Sequence, residues 1–156
     1  MILDTQFRVM RLNRAMTDFL GVPPEEVIGR TCHSQVHCSD EPIADCPHRK
    51  LLADGQVHTQ EIYEQRVGRH YAVTVYPVKD EAGRIAATVH YAKDITKRKQ
   101  AEAALEERER LLQTIIDTEP ECVKLLSEDG SLIMMNPAGL SMIQADSLES
   151  VKGKDH

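Results

Sequence analysis

The 156-residue chain repeats itself once at long range, and this repeat constrains its fold more than any single motif. Phe7-Arg-Val-Met-Arg-Leu-Asn13-Arg-Ala15 returns as Ser131-Leu-Ile-Met-Met-Asn136-Pro-Ala138. Each is a short apolar-rich run closed by Asn, one further residue and Ala, and each leads into helical periodicity. Ala15, Met16, Phe19 and Leu20 carry that periodicity in the first copy; Ala138, Leu140, Met142 and Ile143 carry it in the second. Farther on, Glu25-Glu-Val27-Ile-Gly29-Arg30 returns as Glu149-Ser-Val151-Lys-Gly153-Lys154, with the offset slipped by one residue as a loop insertion produces. Copies so widely spaced read as tandem domains rather than a solenoid of short repeats.

The first copy continues where the second stops. Residues 58–67 are strand-like and turn at Gly68. Residues 70–78 alternate, with Tyr71, Val73 and Val75 on one face and Ala72, Thr74 and Tyr76 on the other. The stretch Lys79-Asp-Glu-Ala-Gly83-Arg84 offers a turn with a glycine for a positive φ. A third strand sets Ile85, Ala87, Val89 and Tyr91 against Thr88 and His90. The more continuous apolar face is expected to meet the core, which leaves His90 for a dimer or linker interface. Upstream, Pro23-Pro24-Glu25-Glu26 reads as the first turn of a short helix, and residues 45–52 as a second short helix or turn. The whole predicts an α+β domain.

At Asp94-Ile95-Thr96 the pattern changes. Residues 97–118 contain no Gly or Pro and are rich in Ala, Glu, Arg and Leu, which favours one long helix. Ala101, Ala104, Leu105, Leu111, Leu112, Ile115 and Ile116 form its apolar stripe. Positions 101, 104, 108, 111 and 115 keep heptad spacing, although Arg108 occupies one of them. A dimeric coiled coil is expected, since so long a charged helix finds little to pack on in one small domain. The plainer alternative is an amphipathic helix packed on its own domain. Lys97-Arg98-Lys99 opposes the dipole of a helix starting here, so a cap from Asp94 or Thr96 matters.

Composition removes several function classes. A net charge of −6, 4% aromatics and no Trp leave neither the basic face nor the stacking rings of a nucleic-acid reader. No apolar run approaches the roughly 20 residues of a membrane helix, and Met1-Ile2-Leu3-Asp4 does not open a signal peptide. The segment is therefore expected to be soluble and cytoplasmic, with membrane anchoring left to a longer parent. A Gly-rich phosphate loop, His-Glu-x-x-His and Gly-x-Ser-x-Gly are all missing, so no catalytic residue is expected.

Cys32-His33-Ser-Gln-Val-His37-Cys38 and Cys46-Pro47-His48 crowd three Cys and three His into one stretch. Without a secretory signal they read as thiols or ligands, not as a disulfide framework. Cys32, His37, Cys38 and Cys46 are the candidate set for zinc, an iron–sulfur cluster or redox-active thiols. Against this, Cys-x5-Cys-x7-Cys is no standard zinc or ferredoxin spacing, and free Cys is commonly a core residue. With Pro42 and Pro47 limiting helix, a loop held by local side-chain contacts is expected. His48, His58 and His70 are weaker candidates for a non-covalent haem. Neither Cys-x-x-Cys-His for covalent haem nor an Asn-Cys-Arg-Phe flavin photoreceptor motif occurs.

Taken in order, these pieces resemble the PAS sensory domain with its C-terminal PAC portion. The resemblance is carried by Asn13-x-Ala15, Glu26-Val-Ile-Gly29-Arg30, the Tyr76-Pro-Val-Lys-Asp80…Gly83 hairpin and, above all, Tyr91-Ala-Lys-Asp94-Ile-Thr96-Lys-Arg-Lys99. It covers residues 1–96 as one nearly whole domain, then a linker at 97–118, then the opening of a second copy at 119–156. It implies a five-stranded antiparallel sheet with short helices on one face, followed by a long linker helix. The Cys/His stretch is similar to a subgroup pattern Cys-x4-His…Pro-Cys-x2-Cys-Pro. Cys32, His37 and Cys46-Pro47 match it, Ile43 replaces one cysteine, and Cys38 is an extra one.

The resemblance further implies a sensor of bacterial type that binds a small ligand, cofactor or partner in a generic apolar pocket. It would pass a conformational change through Asp94, Ile95 and Thr96 to an output domain outside this chain, as in histidine kinases of two-component systems or cyclic-di-GMP enzymes. Homodimerisation through the sheet face and linker helix belongs to the same picture. Two other readings stand beside it: a Cys/His metal or redox module, and a dimerisation scaffold without ligand. The Asp-Ile-Thr tripeptide could equally be a plain helix start.

Overall fold

The computed structural model describes residues 1–151, so the last match of the repeat, Gly153-Lys154, lies outside the described residues. The chain divides into two compact units, with the boundary between Lys99 and Gln100. Among the described residues no helix is long and apolar enough to cross a membrane.

The first unit is built on an antiparallel sheet of β1 (Ile2–Asp4), β2 (Val9–Arg11), β3 (His58–Glu64), β4 (Arg69–Lys79) and β5 (Ile85–Asp94). Their spatial order is β2-β1-β5-β4-β3, so the last strand lies in the middle, paired on either side. The alternating runs form strands as their period of two requires, and Gly83 takes φ 78° in the turn joining β4 to β5. On β4 the expected face turns inward, with Val75 fully buried.

On β5 the face is the opposite of the one expected. Thr88 is 0% exposed and His90 faces inward with it, whereas Val89 and Tyr91 (56% exposed) turn outward. Pairing is the reason: Thr88 lies opposite Leu3, and His90 opposite Val75, and partners across an antiparallel pair share a face. Leu3 and Val75 are both wholly buried, so their partners are drawn in regardless of polarity. His90 is accordingly not at an outer interface.

Four short helices cover the inner face: α1 (Arg14–Leu20), α2 (Pro24–Val27), α3 (Cys32–Val36) and α4 (Pro47–Asp54). Asn13 caps α1, its Oδ1 accepting from the Met16 amide at 3.1 Å, and Gly21 ends it in the left-handed region at φ 72°. Pro24 and Pro47 sit in the first turn of their helices, where a missing N–H costs nothing. The Cys/His stretch is thus two helices, α3 and the start of α4, joined by a connection that holds Pro42; α4 agrees with the short helix or turn expected at residues 45–52, and Pro47 starts it rather than limiting it. Leu3, Val9, Leu20, Val27 and Cys32 form the buried cluster that joins sheet and helices.

Helix α5 (Thr96–Thr118) follows β5 with only Ile95 between them and agrees with the long helix expected over residues 97–118. None of its residues is buried, and Leu105, Leu111, Leu112 and Ile115 of the stripe are exposed. Beyond it come the hairpin strands β6 (Lys124–Leu126) and β7 (Leu132–Met135), then α6 (Pro137–Met142) and a 3-10 turn at Leu148–Ser150.

The two repeated asparagines serve unequal ends. Asn13 is exposed and makes a cap. Asn136 is 1% exposed and fully engaged. Its Nδ2 donates to the carbonyls of Ile116, Glu119 and Glu121 at 3.1, 3.1 and 2.9 Å. Its Oδ1 accepts from the amides of Val123 and Gly139 at 3.0 and 2.9 Å. One side chain therefore ties the end of α5 to the starts of β6 and α6. Asn136→Ala leaves these buried groups unpaired and is expected to cost about 3 kcal/mol, against about 1 kcal/mol for Asn13→Ala. Urea denaturation, with hydrogen exchange to localise the loss to β6 and β7, checks this; equal losses would contradict it.

Candidate functional site

A cavity of about 870 Å³ lies between the inner sheet face and helices α1, α3 and the start of α4. Its apolar lining comes from Met16 and Phe19 on α1, Val36 on α3, Ile62 on β3, and Tyr71 and Val73 on β4. The lining is not purely apolar as expected, because β5 turns its polar face toward it.

His90 lines the cavity, and behind it stands the fully buried His48 of α4. The Nδ1 of His48 lies 2.8 Å from Thr88 Oγ1 and 3.1 Å from His90 Nε2. Its Nε2 is buried without a partner, and its ring centroid is 4.5 Å from that of Phe7. Burial holds both imidazoles neutral. It lowers His48 to about 4, against a smaller opposing pull from Asp4. It lowers His90 to about 3, helped by His48 and the Met1 ammonium.

The second polar wall joins α3 to β3. His37 Nδ1 lies 2.9 Å from Glu64 Oε2, and Glu64 is buried. Cys32 and Cys46 both line the cavity and are buried, whereas Cys38 is exposed. Burial, reinforced by Cys46, pushes the Cys32 thiol up to about 12, so it is a thiol and not a thiolate at neutral pH. The candidate set is therefore brought only partly together: Cys32, Cys46 and His37 share the cavity wall, and Cys38 does not belong to it. Among the described residues no group of three His, Cys, Asp or Glu side chains is placed to hold one metal ion.

At the far end of β5, the cavity wall and the helix junction share a residue. Asp94 lines the cavity, and its Oδ1 accepts from the Thr96 amide at 2.9 Å while its Oδ2 accepts from Arg69 Nη1 at 3.3 Å. The bonds from Thr96, and then Arg69, hold its carboxyl below the usual range. Ile95 is buried, and its amide donates to the His70 carbonyl at 2.9 Å. Thr96 Oγ1 accepts from the His70 amide at 3.0 Å. Just beyond, Arg98 and Lys99 both pair with Glu61 on β3. The first turn of α5 is thus fastened to β3 and β4.

Sequence reasoning did not single out Thr88 or Glu64, and it met His48 only as a weak haem candidate. Spacing held a signal for two of them. His48 and Leu51 lie three apart on α4 and share its buried face, and Thr88 and His90 lie two apart on β5.

The model of the PAS fold matches residues 1–100, and the chain belongs to the PAS family. No curated protein matches it. Among solved structures, an RNA-binding light-oxygen-voltage receptor is 25% identical, with 72% of this chain and 33% of that one covered and a TM-score of 0.57. The chain thus spans about a third of that receptor's length. A light-oxygen-voltage domain studied with a flavin analogue is 20% identical, covering 70% of this chain and 84% of that one at a TM-score of 0.51. A sensory box sensor histidine kinase from Vibrio cholerae is 14% identical, covering 61% and 79% at the same TM-score of 0.51. These likenesses agree with the family match in giving the first unit the PAS fold.

The buried imidazoles give the fold a pH signature. Both are neutral when folded and have an ordinary pKa near 6.5 when unfolded, so the unfolded chain takes up protons first as pH falls. Their contribution is fully present above about pH 6.5 and is lost on descent toward 4 and then 3. The melting temperature is expected to fall between pH 7 and pH 5, and less steeply in His90→Gln. Calorimetry measures the slope; NMR titration showing His48 or His90 protonating near 6.5 in the folded protein would contradict the account.

Proposed function

We propose that the chain is the sensory part of a signalling protein, in which occupancy of the PAS cavity biases α5 through Asp94, Ile95 and Thr96. One observation carries the reading: Asp94 both lines the cavity and accepts the first amide of α5. A ligand that shifts Asp94 changes the capping of the helix at a scale of about 1 kcal/mol, enough to move a two-state equilibrium several-fold.

In this reading residues 119–151 are the opening of a second PAS copy, supported by the strand–strand–helix order that β6, β7 and α6 share with β1, β2 and α1. The protein is a cytoplasmic homodimer. The outward Tyr76, Val78, Val89 and Tyr91 of the sheet support one contact, and the exposed stripe of α5 supports a coiled coil as the other. The output lies outside this chain, in a bacterial histidine kinase or cyclic-di-GMP enzyme. A thiol redox role for Cys32 and Cys46 is a second reading, favoured only by their shared position on the cavity wall.

Inserting one residue into α5 rotates everything after it by about 100°. In the full-length protein such an insertion is expected to invert or abolish the response of the output to the stimulus. An output indifferent to it would contradict the relay.

A further inference from the structure

We infer that the cavity takes an uncharged small molecule carrying a hydrogen-bond acceptor, a carbonyl oxygen or an unprotonated ring nitrogen, which meets the Nδ1–H of His90. The inference rests on the sensory reading above and names the ligand class for the same site.

The guanidinium of the cavity wall is already matched. Arg69 pairs with Asp94, and Glu64 is hydrogen-bonded to His37. The remaining acid of the lining, Asp18, lies 3.8 Å from Arg14. One further positive group stands nearby: the Met1 ammonium, which donates to the His90 carbonyl at 3.2 Å and whose pKa burial lowers. An anionic ligand therefore meets no uncommitted Arg or Lys among the lining residues, and a cationic one meets carboxylates that already have partners; His33, whose buried Nδ1 lacks a partner, is a further polar group on this wall. Leaving a charge so poorly matched in a half-apolar cavity is costly. A flavin nucleotide or a haem brings phosphate or propionate groups that this wall does not fit.

Tautomer logic fixes the polarity of the remaining contact. His48 is fully buried and neutral, with Nε2 bare. A bare lone pair is tolerated better than a bare N–H, so the His48 proton sits on Nδ1. That Nδ1 faces Thr88 Oγ1 and His90 Nε2, so His90 Nε2 accepts. A neutral His90 must then carry its own proton on Nδ1. Since Nε2 is taken and the ring lines the cavity, Nδ1–H is the donor that His90 has left for a ligand. Met16, Phe19, Tyr71 and Val73 supply an apolar bed for the rest of the molecule, and about 870 Å³ accommodates one to three fused rings.

The test uses two dyes of one shape: prodan, an uncharged naphthyl ketone whose emission reports hydrogen bonding to its carbonyl, and the matching 6-dimethylamino-2-naphthoate. The whole chain is expected to bind prodan at least about tenfold more tightly than the carboxylate. His90→Phe is expected to weaken prodan about tenfold and to shift its emission to the blue as the bond is lost. His90→Gln, which keeps an N–H donor, is expected to restore both. Equal affinity for the two dyes would overturn the uncharged ligand while leaving the sensory cavity standing. Unchanged affinity and emission in His90→Phe would overturn the role of Nδ1. Failure of the wild-type chain to bind either dye would overturn the cavity reading itself, and this inference with it.

Discussion

The register of β5 between β1 and β4 is the constraint on which the rest depends. Placed with Thr88 opposite Leu3 and His90 opposite Val75, the strand turns a polar face toward the helices and an apolar one outward. A slip of one residue would exchange them, burying Val89 and Tyr91 and filling the cavity with side chains. The inward polar face is tolerable only because α4 brings His48 to meet it, 40 and 42 residues earlier in the chain than its partners. Strand pairing and a buried polar cluster hydrogen-bonded through His48 Nδ1 thus fix each other.

The same register sets the far end of the strand. Because β5 runs unbroken to Asp94, that carboxylate reaches the cavity wall and the first turn of α5 together. Nothing longer than one side chain separates the binding volume from the helix. The bonds at this junction are individually weak and partly exposed, which suits the relay proposed above: an interaction of many kcal/mol would lock one state. The PAS domain therefore presents its exit helix at an exposed, hydrogen-bonded edge of the cavity, while Leu3, Val75 and Leu51 are wholly buried.

Local patterns were legible and tertiary choices were not. Strand-like patterning located β3, β4 and β5, the Gly- and Pro-free run located α5, and the Asn-x-Ala repeat marked where α1 and α6 begin. The face of β5 was misread because apolar alternation says which residues share a side, not which side is inward; a central strand pairs with buried partners on both flanks, and these decide. Pro47 was read as limiting helix in the Cys/His stretch even though a short helix or turn was expected over residues 45–52; at a first turn it is a helix starter. The cysteines drew attention by number, whereas the structure gives polar groups of the cavity wall to His90 and Glu64, with His48 and Thr88 behind His90, residues whose meeting depends on the folded sheet. The repeat made Asn13 and Asn136 look equivalent; only the segment packed around each distinguishes a simple cap from a five-bond tie.

Coupling between cavity and helix is the central claim, and amide hydrogen exchange across the junction tests it most directly. With prodan as the cavity occupant, exchange at the amides of Thr96 and Lys99, which bond Asp94 and Ile95, is predicted to change by at least several-fold while β6 and β7 stay constant. Protection confined to the cavity wall, with the junction amides exchanging as before, would contradict it.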